Sequence, residues 1–213
     1  SMELKEAIYG RRSIRRYSQE PVPKDILLEI IQAGTWAPSA CNIQGWKFII
    51  IDEKGKFASM VKNGAASFLK DVNQAILVLY DNRTDNLEYQ DYIQSASACV
   101  QNMLLMAYSL NVGACWVNFL PTKKVLRRIF SIPDTYSPIA LVTVGYYEKT
   151  PAIQKRKQDL REQVFYNTCT LPTERNGSGK LAVKRVLRRL YFWFPLKALL
   201  TPFLDKHEKK FEN

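Results

Sequence analysis

The chain has 213 residues, an apolar fraction of 46% and a formal net charge of +11 at pH 7. This composition is typical of a packed globular protein and excludes a disordered or fibrous chain. In residues 180–213, nine Lys/Arg against three Asp/Glu give +6, which leaves only +5 for the much longer remainder. Because the excess is concentrated near one end, we expect no nucleic-acid partner. The chain shows neither a secretory leader nor an apolar run long enough to span a bilayer, so we expect a cytoplasmic protein.

Residues for nucleophilic or metal-assisted catalysis are scarce. The four cysteines, Cys41, Cys99, Cys115 and Cys169, are widely spaced, and His207 is the only histidine. This pattern argues against a metal site, a CxxC redox motif and a Ser-His or Cys-His pair. We expect free thiols that are mostly buried. For Cys41, a buried structural thiol is favoured over a redox-sensitive one.

The start of the chain places a basic segment between two predicted helices. Helical spacing of apolar residues predicts a helix over residues 3–9, which Gly10 ends. Residues 11–17 (RRSIRRY), the arginine segment, hold four arginines in six positions and should be extended or form a turn. A second helix is expected after Pro23, ending near Gly34. Because arginine forks match phosphate oxygens, the arginine segment is either an anchor for a phosphorylated ligand or a solvated basic turn.

The 36–46 loop (WAPSACNIQGW) follows, rich in small and amide side chains that can approach a flat polar ligand. We expect Trp36, Trp46 and Trp116 to belong to the core. Later patterns predict strands over 47–52, 75–80, 113–119 and 138–147, and helices over 55–63, 89–110 and 123–130. The strand over 75–80 should be buried on both faces.

Few strands with unequal connections predict one mixed sheet covered by helices, an α+β domain over residues 2–171. The small residues of the helix over 89–110 predict burial, against the core or a second subunit. A Rossmann or P-loop glycine motif is absent.

Three separated blocks together resemble the nitroreductase family of FMN-dependent reductases. The blocks are residues 11–15 with 21–23, residues 37–48, and residues 113–117 with 132–133, 138–142 and 145–146. They occur in the family's order over roughly residues 3 to 165. The resemblance implies a mixed, largely antiparallel central sheet flanked by helices, in an intertwined homodimer with FMN at the interface.

The resemblance also implies which residues bind FMN. The phosphate and the pyrimidine side of the flavin would be held by Arg11, Arg12, Ser13 and Arg15. The partner subunit would contribute Pro38, Ser39, Ala40 and Asn42. The reactive edge of the flavin ring would lie beside Val117 and Asn118, with Phe119, and the phosphate would be covered by Lys155 and Lys157. Arg156 takes the last role if the register shifts by one. The sequence departs from the family pattern at two places. Gly45 replaces a usual proline, and residues 118–119 replace a segment that is commonly glycine-rich.

The implied activity is NAD(P)H-dependent reduction of an electron-poor small molecule (a nitroaromatic, quinone or enone-like acceptor) by a ping-pong mechanism. The flavin carries the chemistry, so no catalytic side chain is required. One alternative is a flavoenzyme of the same fold that fragments flavin or dehalogenates its substrate reductively. Another is a non-catalytic protein that binds FMN or another phosphorylated ligand and docks to membranes.

The C-terminal region has a different character. Residues 172–180 are a linker by composition. In residues 181–213, Val183, Val186, Leu187, Leu190 and Phe194 share one helical face, and Lys and Arg lie on another. Such a basic amphipathic tail is suited to an anionic membrane surface, or it packs across the dimer.

Overall fold

The computed structural model describes residues 2–83, 86, 88–152, 159–171, 183 and 186. They fall into two compact units, the first ending at Pro151 and the second beginning at Ala152. Within the second unit, residues 160–162 form a single helical turn, Leu160–Glu162, at whose start the Asp159 carboxylate accepts from the Arg161 N–H. The linker and most of the tail lie outside the described residues, so the division at 171 and 180 stays a prediction.

The described residues of the first unit contain five α-helices and four strands, with two short 3-10 turns, Ala40–Asn42 and Ser67–Asp71. The helices are α1 (Leu4–Gly10), α2 (Lys24–Thr35), α3 (Lys54–Lys62), α4 (Asp91–Ser109) and α5 (Lys123–Phe130), and the strands are β1 (Trp46–Ile51), β2 (Gln74–Asp81), β3 (Gly113–Val117) and β4 (Tyr136–Gly145). Every helix and strand predicted over residues 3–147 is present. The described part of the chain contains no helix with the length and apolar character needed to cross a bilayer.

The four strands form one sheet in the order β1-β2-β4-β3, and every neighbouring pair is antiparallel. The only parallel pairing among the described residues is an isolated bridge from Ser13 to Ala114 of β3. The structure therefore confirms an α+β fold with a largely antiparallel sheet.

Helices cover the sheet on both faces because its central strands are apolar on both. Ile76 and Val78 of β2 pack with α2 and α4 on one face, and Leu77 of β2 packs with Phe57 of α3 on the other. Residues 74–80 are buried, as predicted for this strand. Close packing between α2 and α4 requires a glycine, since a Cβ on Gly34 would lie 2.7 Å from Met103 Cγ.

The three tryptophans differ in burial. Trp46 is buried against Tyr80, with ring centroids 5.9 Å apart, and Trp116 is partly buried. Trp36 is 82% exposed, so its assignment to the core was wrong. It lies two residues beyond buried Gly34, which is about 200° around a helix of 3.6 residues per turn, and therefore faces away from α4.

Candidate cofactor site

The arginine segment runs in extended form beside the outer edge of β3. Ile14 N–H donates to Ala114 O at 3.0 Å, and Ser13 forms the parallel bridge to the same residue. Ile14 is buried, and the position of Gly113 leaves room for it: a Cβ there would lie 3.0 Å from Ile14 Cβ. The sheet edge thus fixes the backbone that carries the arginines, and the extended conformation expected for this segment is confirmed.

Three of the predicted site residues lie near one buried thiol, that of Cys115. Ser13 pairs with Ala114, the neighbour of Cys115 on β3, and Arg11 and Arg15 each stand two residues from Ser13 in the chain. Burial raises the pKa of Cys115, while the two arginines and Ser13 pull it back only in part. The thiol stays protonated, and its surroundings show that Arg11, Ser13 and Arg15 share one small region beside β3.

Arg12 turns back onto the end of α1. Its Nη1 donates to Tyr9 O at 2.9 Å and to Arg11 O at 2.7 Å. Its Nε is buried and has no hydrogen-bond partner among the described residues. Buried guanidinium N–H groups are normally bonded, and an anionic oxygen is their strongest acceptor. This orphaned donor fits a phosphate-bearing ligand at the arginine segment.

The chain after the arginine segment is clamped by two residues at the start of β2. Asn73 Nδ2 donates to Ser18 O at 3.2 Å. The Gln74 amide pairs with the backbone of Val22, accepting from its N–H at 2.6 Å and donating to its carbonyl at 3.0 Å. Sequence reasoning missed both residues; the available signal was a glutamine at the head of an entirely apolar strand.

The 36–46 loop folds beside the first turns of α4. Ala40 N–H donates to Ser95 Oγ at 3.1 Å, and Ser39 Oγ accepts from Gln44 N–H at 3.0 Å. Asn42 Oδ1 accepts from Gln44 Nε2 at 2.8 Å. These bonds hold a tight turn and leave Pro38 and Asn42 exposed.

The turn uses backbone conformations that side chains rarely adopt. The φ angles are 50° at Cys41, 56° at Asn42 and 53° at Gln44, in the left-handed region. Cys41 is exposed, so its prediction as a buried thiol was wrong. The reason is local, because the sharp turn directs this side chain away from the packed interior. Among the other cysteines, Cys99 and Cys115 are buried and Cys169 is exposed.

The two predicted walls lie at opposite ends of the sheet. The arginine segment contacts Ala114, which pairs with Val144 of β4. Near the end of the 36–46 loop, the carbonyl of Gly45 accepts from the backbone N–H of Asp81, which pairs with Tyr136 of β4. Positions 136 and 144 are eight residues apart on β4, or about 26 Å at ~3.3 Å per residue. A single chain does not bring these walls together.

The remaining predicted residues occupy separate positions. Val117 is the buried last residue of β3, and Asn118 is exposed in the loop that follows. Lys155, Arg156 and Lys157 lie outside the described residues.

Comparison with known proteins identifies the class. A sequence model of the Nitroreductase family matches residues 8–146. A Methanothermobacter thermautotrophicus protein provisionally named NADH dehydrogenase/NAD(P)H nitroreductase is 32% identical over 154 residues, which span 70% of this chain and 80% of that protein. Rat iodotyrosine deiodinase 1 is 24% identical over 200 residues, covering 78% of this chain and 69% of the relative.

Solved structures agree with this assignment. An FMN-dependent nitroreductase from Clostridium difficile has a TM-score of 0.67 and 26% identity, covering 78% of this chain and 100% of the other. A nitroreductase-type protein from Desulfovibrio desulfuricans, solved in complex with FMN, has a TM-score of 0.66 and 27% identity. The match covers 79% of this chain and 99% of that protein.

The chain belongs to the nitroreductase family. The predicted family and the predicted oxidoreductase class are thereby confirmed, and FMN, the predicted cofactor, is the one named for both of these solved relatives.

Proposed function

We propose that this protein is an FMN-dependent oxidoreductase that uses NADH or NADPH to reduce an electron-poor small molecule: a nitroaromatic, a quinone or an enone-like acceptor. The observation that carries the proposal is the buried, orphaned Nε of Arg12, in an arginine segment whose backbone is fixed along β3, in a chain of this family. These donors fit a phosphate, which carries about −1.5 to −2 charges near neutral pH.

We infer that the complete site forms between two copies of the chain. The arginine segment of one copy would bind the phosphate, and residues 38–42 of the second copy would reach the ring. The separation of about 26 Å between the two walls along β4 supports this arrangement, since neither wall can serve the other within one chain. Exposed apolar side chains on α1, Leu4 and Tyr9 at 68% and 76%, offer surface for such an association.

The protein's own contribution is binding, orientation and exclusion of water. When bound, FMN supplies the redox chemistry, taking hydride from NAD(P)H and passing electrons to the acceptor in a second half-reaction. The phosphate would be held by Arg11, Arg12, Ser13 and Arg15, and it would be covered by Lys155 and Lys157, or by Arg156. The flavin ring would be oriented from the second copy by Pro38, Ser39, Ala40 and Asn42. Its reactive edge would be bordered by Val117 and Asn118. Asn118 is exposed in the single chain, which is compatible with a small acceptor reaching that edge.

The test begins with a visible spectrum. Purified protein is incubated with FMN, desalted and titrated anaerobically with NADH and then NADPH. We expect flavin absorbance to be retained and then bleached, followed by turnover with menadione or nitrofurazone. Loss of all flavin on desalting overturns the proposal, as does a bound flavin that neither nucleotide reduces.

Reductive dehalogenation is a second candidate, favoured by the iodotyrosine deiodinases among the relatives. A reduced flavoprotein of this fold offered an iodotyrosine would release iodide. Product analysis of the same reduced protein with iodotyrosine and with nitrofurazone in parallel separates the two reactions. Flavin fragmentation, the other alternative within this fold, would consume the flavin itself under oxygen.

For residues 181–213 we propose contact with an anionic membrane surface by a protein that otherwise resides in the cytoplasm. The support is the sequence pattern, since only Val183 and Val186 of this region are described, both exposed. Flotation of the full chain and of residues 1–180 on anionic vesicles tests it. We expect salt-sensitive flotation of the full chain alone. Equal flotation of both forms contradicts it, and dimers that dissociate without the tail indicate packing across the dimer.

A further inference from the structure

A buried pair of hydroxyl groups lies beneath the arginine segment. The Tyr17 hydroxyl is 2.5 Å from Ile14 O, 2.7 Å from Thr143 Oγ1 and 3.2 Å from Thr143 O. Thr143 is fully buried on β4 and is the register partner of Cys115, the residue that follows Ala114 on β3. One side chain therefore connects the backbone of the arginine segment to the centre of the β3–β4 pair.

The hydrogen-bond directions follow from the protons available. Burial raises the pKa of the Tyr17 hydroxyl above its usual value, so the group is protonated and neutral. A hydroxyl carries one proton, so a Tyr17 that donates to Ile14 O accepts from Thr143 Oγ1. The Thr143 hydroxyl could also donate to Cys115 O, but at 3.4 Å this hydrogen bond is longer and weaker than the one to Tyr17.

The location of this pair is specific. Ile14 stands between Ser13 and Arg15, two residues proposed to hold phosphate. The ring of Tyr17 packs on Gly145, where a Cβ would lie 2.8 Å from Tyr17 Cδ1. Packing on Gly145 therefore fixes the ring of Tyr17, and its hydroxyl fixes the Ile14 carbonyl, which lies in the chain between Ser13 and Arg15.

We propose that Tyr17 is a positioning residue for the phosphate anchor, acting through its hydroxyl bonds to Ile14 and Thr143. This inference rests on the proposed FMN site. Removal of the hydroxyl leaves the buried Ile14 carbonyl without this donor and frees the backbone between Ser13 and Arg15 to shift. The ring, still wedged against Gly145, keeps the fold.

The experiment compares four variants with wild type: Tyr17→Phe, Thr143→Val, Thr143→Ser and, as a matched control, Tyr147→Phe. The ring of Tyr147 also packs on a glycine beside the arginine segment, since a Cβ on Gly113 would lie 2.7 Å from its Cδ1. FMN dissociation constants are measured by flavin fluorescence on the apoprotein at one ionic strength. At saturating FMN, the flavin spectrum and the kcat with menadione are then recorded for each. Should Tyr17→Phe fold poorly, Thr143→Val tests the same hydroxyl pair from the other side, since it removes the hydroxyl that donates to Tyr17 at nearly constant shape.

We expect Tyr17→Phe and Thr143→Val to weaken FMN binding by about tenfold, the effect of one buried hydrogen bond. Thr143→Ser, which keeps the hydroxyl, and Tyr147→Phe should bind as wild type does. Spectrum and kcat at saturation should not change, because Tyr17 acts on the phosphate anchor and not on the ring.

Three results overturn the inference alone: unchanged affinity in Tyr17→Phe, a kcat that falls together with affinity, or a Thr143→Ser variant as weak as Thr143→Val. A wild-type protein that binds no FMN overturns the proposed function and this inference with it.

Discussion

Gly145 lies directly against the ring of Tyr17. A Cβ at Gly145 would stand 2.8 Å from Tyr17 Cδ1, 2.9 Å from Cγ and 3.0 Å from Cβ. The nearest atoms belong to the base of the tyrosine side chain, which cannot swing aside without moving the backbone. Position 145 therefore needs a glycine because of the arginine segment that crosses it.

Replacing this glycine should destabilise the fold. We expect Gly145→Ala to lower the free energy of unfolding by about 1–3 kcal/mol, as overpacking of a tight contact does. Urea denaturation measures it. Gly55→Ala is the matched control: nothing lies within 4 Å of a Cβ on this α3 glycine, so the change should be neutral or stabilising by up to about 1 kcal/mol. Equal stability of Gly145→Ala and wild type would contradict the packing argument.

Removing one arginine should weaken cofactor retention before it affects turnover. We expect Arg11→Ala to raise the FMN dissociation constant by about 10- to 100-fold, the range of one charge-assisted hydrogen bond. Activity at saturating FMN should stay near the wild-type value. Fluorescence titration and steady-state assays give both numbers. Arg128→Ala on the exposed face of α5 controls for lost charge, and an equal loss in both variants would rule out a specific anchor.

The amide of Gln74 should matter more for stability than an ordinary polar side chain. Gln74→Leu deprives the buried Val22 N–H and carbonyl of their partners. We expect a loss of about 2–4 kcal/mol in the free energy of unfolding, since each orphaned group costs about 1–3 kcal/mol. Urea denaturation is again the measurement, with Gln101→Leu on the exposed face of α4 as control. Equal stability of the two variants would refute the clamp.

Thiol reactivity tests where the cysteines lie. Burial raises the pKa of Cys99 to about 12 and also raises that of Cys115. Both should therefore resist a short pulse of iodoacetamide at a pH of about 8, whereas Cys169 is labelled. Cys41 should be labelled in the apoprotein and more slowly with FMN present, because its loop is proposed to reach the flavin of a second copy.

Mass spectrometry of the digested protein reports each site, and urea-unfolded protein provides full labelling as the reference. Rapid labelling of Cys99 would contradict the burial described for α4.

Hydrophobic periodicity was sufficient to predict the helices and strands, because each has a clear apolar face or run. The start of α5 has its own polar signal, since Thr122 is a favourable N-cap residue and its hydroxyl accepts from Val125 N–H. The burial of single large residues was less predictable. Trp36 follows α2 on the side away from α4, and Cys41 sits in a turn with a left-handed φ angle. Local composition encodes neither orientation.

The site was predictable as a set of residues but not as an arrangement. The family motifs indicated Arg11 and Asn42 as cofactor-binding residues. Only the register of the strands shows that their two segments lie at opposite ends of the sheet. Tyr17 and Gln74 escaped notice because their roles depend on partners 126 and 52 residues away in the chain. Long-range contacts of this kind leave no periodic signal.

The arginine segment and the 36–46 loop lie at opposite ends of one sheet, and in a dimer this placement has a consequence for mixtures of variants. In a dimer with shared sites, each chain lends its arginine segment to one site and its 36–46 loop to the other. Chains altered only at Arg11, mixed with chains altered only at Asn42, would form hybrids in which one site carries both lesions and the other carries neither. Two variants that each bind FMN weakly, unfolded and refolded together, should regain part of the tight FMN binding that each lacks alone.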